Sequence, residues 1–162
     1  MIIISDANII VYFWKAGLLA KLHDSVETIV PEKIFTELTQ GRIRRSYPEL
    51  SEHMNQHKYN TELPSRIKVK TIEHEESSTL NMHDHIKESG LDDGEIDGIM
   101  LSVLLGYPFV TNDSEAIIFF NDVLDHNSNG RAEGFEAFLD DFLARGHIDQ
   151  GEHRLLLDEK TK

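Results

Sequence analysis

The 162-residue chain contains no cysteine. That excludes a disulfide scaffold, a thiolate metal site and a thiol nucleophile, and it fits a reducing cytosol. Positive charge is also scarce. Sixteen Lys and Arg stand against 29 Asp and Glu, for a net charge of −13. A surface basic enough throughout to coat nucleic acid or an anionic membrane is excluded, while a local basic patch is not. Long hydrophobic runs are missing as well. The most apolar stretch, 96–105, is interrupted by Asp97, Gly98 and Ser102 and is too short to span a bilayer. Residues 2–4 are apolar, but Asp6 and Asn8 follow with no basic residues ahead of them, unlike a secretory signal. The four prolines form no linker, and no repeat or low-complexity tract is present. A soluble, cytoplasmic protein with no membrane contact is expected.

What is present has a globular composition, 40% apolar and 28% charged. The length suits one domain, 1–162, able to bury roughly 70% of its unfolded surface, with 132–162 as a C-terminal helical extension. Short apolar strands are expected at 2–4, 26–30, 67–72 and 109–111. Helices are expected at 8–22 (broken near Gly17), 32–40, 48–59, 77–89, 92–105, 114–124, 135–144 and 152–157. Strands separated by helices imply right-handed parallel crossovers and a three-layer α/β/α sandwich. The Ile-rich strands agree, since parallel strands are covered on both faces.

In such sheets ligands bind beyond the carboxyl ends of the strands. Asp6 follows the first strand and Asp113 the strand 109–111, on the same sheet edge. Glu37 lies on the helix after the second strand, and Glu95 in the first turn of the helix opened by Asp92-Asp93-Gly94. Gly98 and Ser102 share Glu95's side of that helix and allow close approach of a neighbour. Taken singly, each acid has a plain alternative: an N-cap for Asp6 or Asp113, dipole pairing for Glu95, solvation for Glu37. Taken together they could converge on one crevice. Two carboxylates about 5 Å apart repel by roughly 3 kcal/mol at an effective dielectric of 20. Four would therefore call for a cation, and an all-oxygen donor set suits Mg²⁺ or Mn²⁺ over Zn²⁺. The usual task of such a site is phosphoryl chemistry.

The order Asp6-Ala7-Asn8, Glu37-Leu38, Gly94-Glu95 and Thr111-Asn112-Asp113 resembles the PIN domain, the nuclease fold of VapC-type toxins. The C-terminal Arg145-Gly146-His147-Ile148 is similar to the PIN subgroup that uses Gly-Glu for the third acid. The resemblance implies a PIN-like fold with Asp6, Glu37, Glu95 and Asp113 as catalytic metal ligands and Asp97 as a substitute or fifth acid. It further implies that the Asn8 amide orients Asp6 or a water and that Thr111 braces the site. Endoribonuclease activity with Mg²⁺ or Mn²⁺, an RNA substrate, an antitoxin partner and a homodimer are implied on the same basis. A non-catalytic interaction module, or a DNA nuclease of the same fold, remains open. Arg42, Arg44 and Arg45 form the densest basic run and could hold phosphates beside the site.

Three further patterns carry less. Asp125-x-Asn127-x-Asn129-Gly130 with Glu136 matches a calcium loop, but Ala132 stands where a branched apolar residue is usual and no second loop pairs with it. His83-Asp84-His85 reads as a solvated helix face. His53 and His57, four apart on a helix, have no third metal ligand visible in the sequence.

Overall fold

The computed structural model describes residues 1–59, 67–70, 84, 86–122 and 130–162. Its sheet has five strands, β1 (Ile2–Ile4), β2 (Thr28–Pro31), β3 (Ile67–Lys70), β4 (Phe109–Thr111) and β5 (Ala132–Gly134). Their order is β3-β2-β1-β4-β5 and every pairing is parallel. The central position of β1 explains its three consecutive isoleucines, since both of its faces are covered. Side chains alternate across a strand. Accordingly Ile2 and Ile4 join Val30 and Val110 in one core, while Ile3 joins Ile29 and Phe109 in the other.

The first core is roofed by α1 (Ala7–Lys15), α2 (Leu19–Ser25), α3 (Glu32–Thr39) and α5 (Pro48–Tyr59). It is completed by α8 (Phe135–Ala144) and α9 (Gln150–Thr161). Phe13 of α1 is fully buried against Phe135, Phe138 and Phe142, with ring centroids 6.3–6.4 Å apart. A capping box between Asp149 and Glu152 starts α9, and the Lys15–Glu159 pair at 2.7 Å fastens it to α1. The opposite core belongs to α6 (Asp93–Leu105) and α7 (Ser114–Asp122). This is the α/β/α sandwich that the strand–helix alternation predicts.

The break expected near Gly17 divides 8–22 into two helices, the chain turning there at φ 71°. Three local differences have physical reasons. Gly41, expected only to end a helix, bends the chain at φ 62° and starts α4 (Gly41–Ser46), so the arginine run is helical. Residues 132–134 form the edge strand β5, paired Phe109↔Ala132 and Thr111↔Gly134, so the helical extension begins only at Phe135. Ala-Glu-Gly is too short and polar to show period-two patterning. The last helix is longer than expected, 150–161 against 152–157.

Most of the helix expected at 77–89 lies outside the described residues, as do His83, His85 and the loop positions Asp125, Asn127 and Asn129. Asp84 is helical and exposed. Glu136, the last position of the calcium pattern, sits in α8 and bonds Lys160 at 2.9 Å. Among the described residues no helix is long and apolar enough to cross a membrane.

Candidate active site

The chain runs outward from β1 to β2 and β3, then returns to place β4 on the other side of β1. The sheet order therefore reverses between β1 and β4, and the crevice beyond their carboxyl ends is where an open parallel sheet binds ligands. Asp6 stands just past β1 and Asp113 just past β4. Asp6 spans the reversal. Its Oδ1 accepts from the Asn8 N–H at 2.9 Å and its Oδ2 from the Asn112 N–H at 3.3 Å. It thus N-caps α1 and ties the two strand-end loops together. Asp113 caps α7 in the same way, accepting from Glu115 N–H at 2.7 Å and Ala116 N–H at 3.4 Å. Its own N–H donates to Oγ1 of the fully buried Thr111 at 3.1 Å. The cap reading and the site reading are compatible for both aspartates. The Asn8 group that bonds Asp6 is its backbone amide, while its side chain is exposed toward a groove.

Glu95 is placed by α6. Asp92 caps that helix, its Oδ1 accepting from the Glu95 N–H at 2.9 Å. A Cβ on Gly98 would lie 2.4 Å from Ser5 Cβ, and one on Gly94 would lie 2.5 Å from Ile34 Cδ1. Glycine at 98 lets α6 press against the end of β1, Gly94 packs it closely on Ile34 of α3, and Glu37 is three residues beyond Ile34, about one turn on. Glu95 is consequently only 7% exposed. Burial first, then a hydrogen bond with Asp113 and the charges of Asp92 and Asp113, push its pKa up to about 8, against a smaller opposing hydrogen bond to the Asp92 backbone. Glu37 is exposed as a residue, yet its carboxyl is also pushed up, by partial desolvation and then by the charges of Asp92 and Asp6.

The four expected acids form two electrostatically linked groups: Glu95 with Asp113, and Glu37 with Asp6. Asp92 is common to both. Sequence reasoning passed over Asp92 as a helix opener, and its spacing to Glu95 was the available signal. Asp97 is half-buried, and it is Asp92 whose charge acts on both glutamates. The cluster is loose. Among the described residues no three of these carboxylates bring one oxygen each within 4.8 Å of one another. The amide of Asn112, between Thr111 and Asp113, has Oδ1 and Nδ2 both buried without a hydrogen-bond partner.

A groove of about 470 Å³ opens beside the acids and is lined by Asn8, Thr36, Glu37, Gln40 and Arg42. Arg42 alone of the basic run lines it; Arg44 and Arg45 are exposed elsewhere on the same short helix. Compared with known proteins, residues 2–117 match a family model described as a PIN domain. No curated protein and no solved structure matches the chain.

Proposed function

The chain belongs to the PIN-domain family, which typically includes nucleases, and from that premise we propose that it is a divalent-metal-dependent endoribonuclease acting as the toxin of a toxin–antitoxin module. One observation carries this reading: the buried Glu95, hydrogen-bonded to Asp113 and facing Asp92, in a crevice where Asp6 bridges the ends of β1 and β4. Side chains this acidic and this close lower their own stability unless a cation or protons neutralise them.

The donor set fits a hard cation. It is all oxygen, and it includes a partnerless buried amide oxygen at Asn112. Mg²⁺ keeps several waters and needs only one or two direct carboxylates, so a loose ring suffices. Asp6, Glu37, Glu95 and Asp113 would hold one or two Mg²⁺ or Mn²⁺ ions. Such an ion supplies Lewis acidity toward the scissile phosphate.

The chain's own residues do the rest. Asp6 keeps the β1 and β4 loops in register. Thr111 and the α7 N-terminus fix Asp113. The groove carries the RNA backbone past Arg42 to the acids. A small antitoxin presenting a cation to this pocket, a homodimer and a cytoplasmic setting complete the proposal. The Gly94-Glu95 pair supports reading the chain with the Gly-Glu subgroup.

The direct test is cleavage of a mixed RNA pool by the metal-stripped protein with and without Mn²⁺, beside a single-stranded DNA pool. Manganese-dependent RNA cleavage is expected. DNA cleavage alone would make it a DNA nuclease. No cleavage of either, with no metal-induced change in melting, would leave a non-catalytic binding module.

The arginines give a second expected outcome. Each phosphate contact removed lowers the slope of log affinity against log salt by about 0.7 for a single strand. Only Arg42 lines the groove, so Arg42→Ala should reduce the RNA-binding slope by that amount. Arg44→Ala and Arg45→Ala should each change it less. Fluorescence anisotropy across a salt series checks this, and equal effects from all three would place the RNA along the outside of α4.

A further inference from the structure

Away from the acids, the fold supplies the ligand that the pair on α5 lacks in the sequence. His23 of α2 comes against His53 and His57, and one ring nitrogen from each lies within 4.8 Å of the other two. This is the one such trio of His, Asp or Glu among the described residues. The His23 and His53 rings stack, with centroids 5.7 Å apart and planes 9° from parallel, and the His53 and His57 centroids are 3.9 Å apart.

Stacking of neutral rings in an apolar setting is the plain alternative, and two observations go beyond it. First, His23 is only 5% exposed, and Nε2 of both His23 and His53 is buried with no hydrogen-bond partner. Ring nitrogens hidden from water are normally satisfied. Second, Nδ1 of His57 lies 2.8 Å from the His53 carbonyl oxygen. A carbonyl can only accept, so Nδ1 carries a proton, and the lone pair of the corresponding neutral tautomer lies at Nε2. A backbone carbonyl holding the far nitrogen is the support that metal-binding imidazoles ordinarily have. Burial and the neighbouring rings hold His23 and His53 below the usual imidazole pKa, in the neutral form that a metal needs.

From this arrangement we propose that His23, His53 and His57 bind one Zn²⁺ through imidazole nitrogens, with a fourth position for water, in a site separate from the acidic crevice. Imidazole donors with no carboxylate among them suit Zn²⁺ and disfavour Mg²⁺ and Mn²⁺. Zinc–nitrogen bonds of about 2.0–2.1 Å at tetrahedral angles put the nitrogens roughly 3.4 Å apart, which small side-chain rotations reach. The separation follows from α1. Trp14, near its C-terminal end, has its ring 5.9 Å from that of His53, whereas Asp6 caps its N-terminal end. Eight residues of helix are about 12 Å. A bound ion would cross-link α2 to α5.

The full-length protein, stripped with chelator and dialysed, would be melted with and without added ZnCl₂ and titrated for stoichiometry. One zinc per chain is expected, raising Tm by roughly 5–10 °C at a hundredfold excess over Kd. His57→Gln should fold and lose that zinc-induced shift. Asp6→Asn should keep it, which separates this site from the crevice. Should His57→Gln fail to fold, Co²⁺ bound to the unaltered protein decides, because tetrahedral nitrogen coordination gives strong visible bands and octahedral oxygen coordination does not. The proposal is overturned by an unchanged Tm, by a shift that survives His57→Gln and vanishes in Asp6→Asn, or by octahedral Co²⁺. None of these outcomes bears on RNA cleavage, which has its own test.

Discussion

Asp6→Asn is expected to cut metal-dependent RNA cleavage by at least about a hundredfold, the scale on which single groups that stabilise transition-state charge act. It should also remove the Mn²⁺-induced rise in Tm. The substitution is nearly isosteric, so its effects read out charge. Asp6 accepts two backbone N–H groups, one per oxygen, from Asn8 and Asn112. Asparagine offers one oxygen, so one of those bonds is lost at about 1 kcal/mol. Against that stands the relief of repulsion toward Glu37, whose carboxyl the Asp6 charge helps push up. The metal-free variant should therefore melt at or above the temperature of the unaltered protein while being inactive. Loss of activity with a lowered metal-free Tm would mean that Asp6 is chiefly the bolt between the β1 and β4 loops, and the catalytic assignment would fail. Activity within a few-fold of the original would end the nuclease reading of this crevice.

The layers and the sheet edge carrying the acids could be read from the sequence because they rest on strong local signals. Three isoleucines in a row state that a strand is covered on both faces, and an acid directly after an apolar strand can only lie at its carboxyl end. The strand order was not legible. Nothing in 2–4 and 109–111 says that they are neighbours, yet that adjacency creates the crevice. The same holds for β5, whose place in the sheet comes from pairing with β4 and not from its own side chains. Asp6, Glu37, Glu95 and Asp113 can be named from the sequence, and in the fold Glu95 lies by Asp113 while the Asp6 charge acts on Glu37. The sequence could not show that Asp92 reaches both glutamates, nor that Asn8 acts through its backbone, because both depend on how α6 and α1 dock. Gly98 was legible as a small residue on Glu95's side; that Ser5 is the group it admits was not. The histidines show the limit most clearly. His53 and His57 declare themselves by spacing, but His23 is 30 positions away from His53 and reaches them only through packing of α2 on α5.

Glu95 makes the second large prediction, and it concerns stability. In the metal-free native state its pKa is about 8, against 4.5 for a free glutamate. Between those values the folded protein holds a proton that the unfolded chain has released, so stability falls as pH rises through the window. At 1.36 kcal/mol per pKa unit, the loss by pH 8 is on the order of 3–5 kcal/mol. Glu95→Gln keeps the shape and a donor toward Asp113 while removing the titration. In chelator it should match the unaltered protein near pH 4.5 and exceed it near pH 8, by a Tm difference on the order of 10 °C for a domain of this size. Glu37, whose pKa is raised by desolvation and by Asp92 and Asp6, contributes in the same direction. Saturating Mn²⁺ should reverse the ranking at pH 8, because the glutamate gains a cation and the glutamine does not. Since Glu95 must lose its proton to serve as a ligand, metal binding at pH 7 should release about one proton, visible as a buffer-dependent heat in titration calorimetry. Melting curves from pH 4.5 to 8.5, with and without metal, measure the rest. A flat pH profile for the unaltered protein, or a glutamine variant less stable than it at pH 8 without metal, would show that Glu95 is ionised and solvated, and with it would go the argument that this crevice is built around a charge it cannot hold alone.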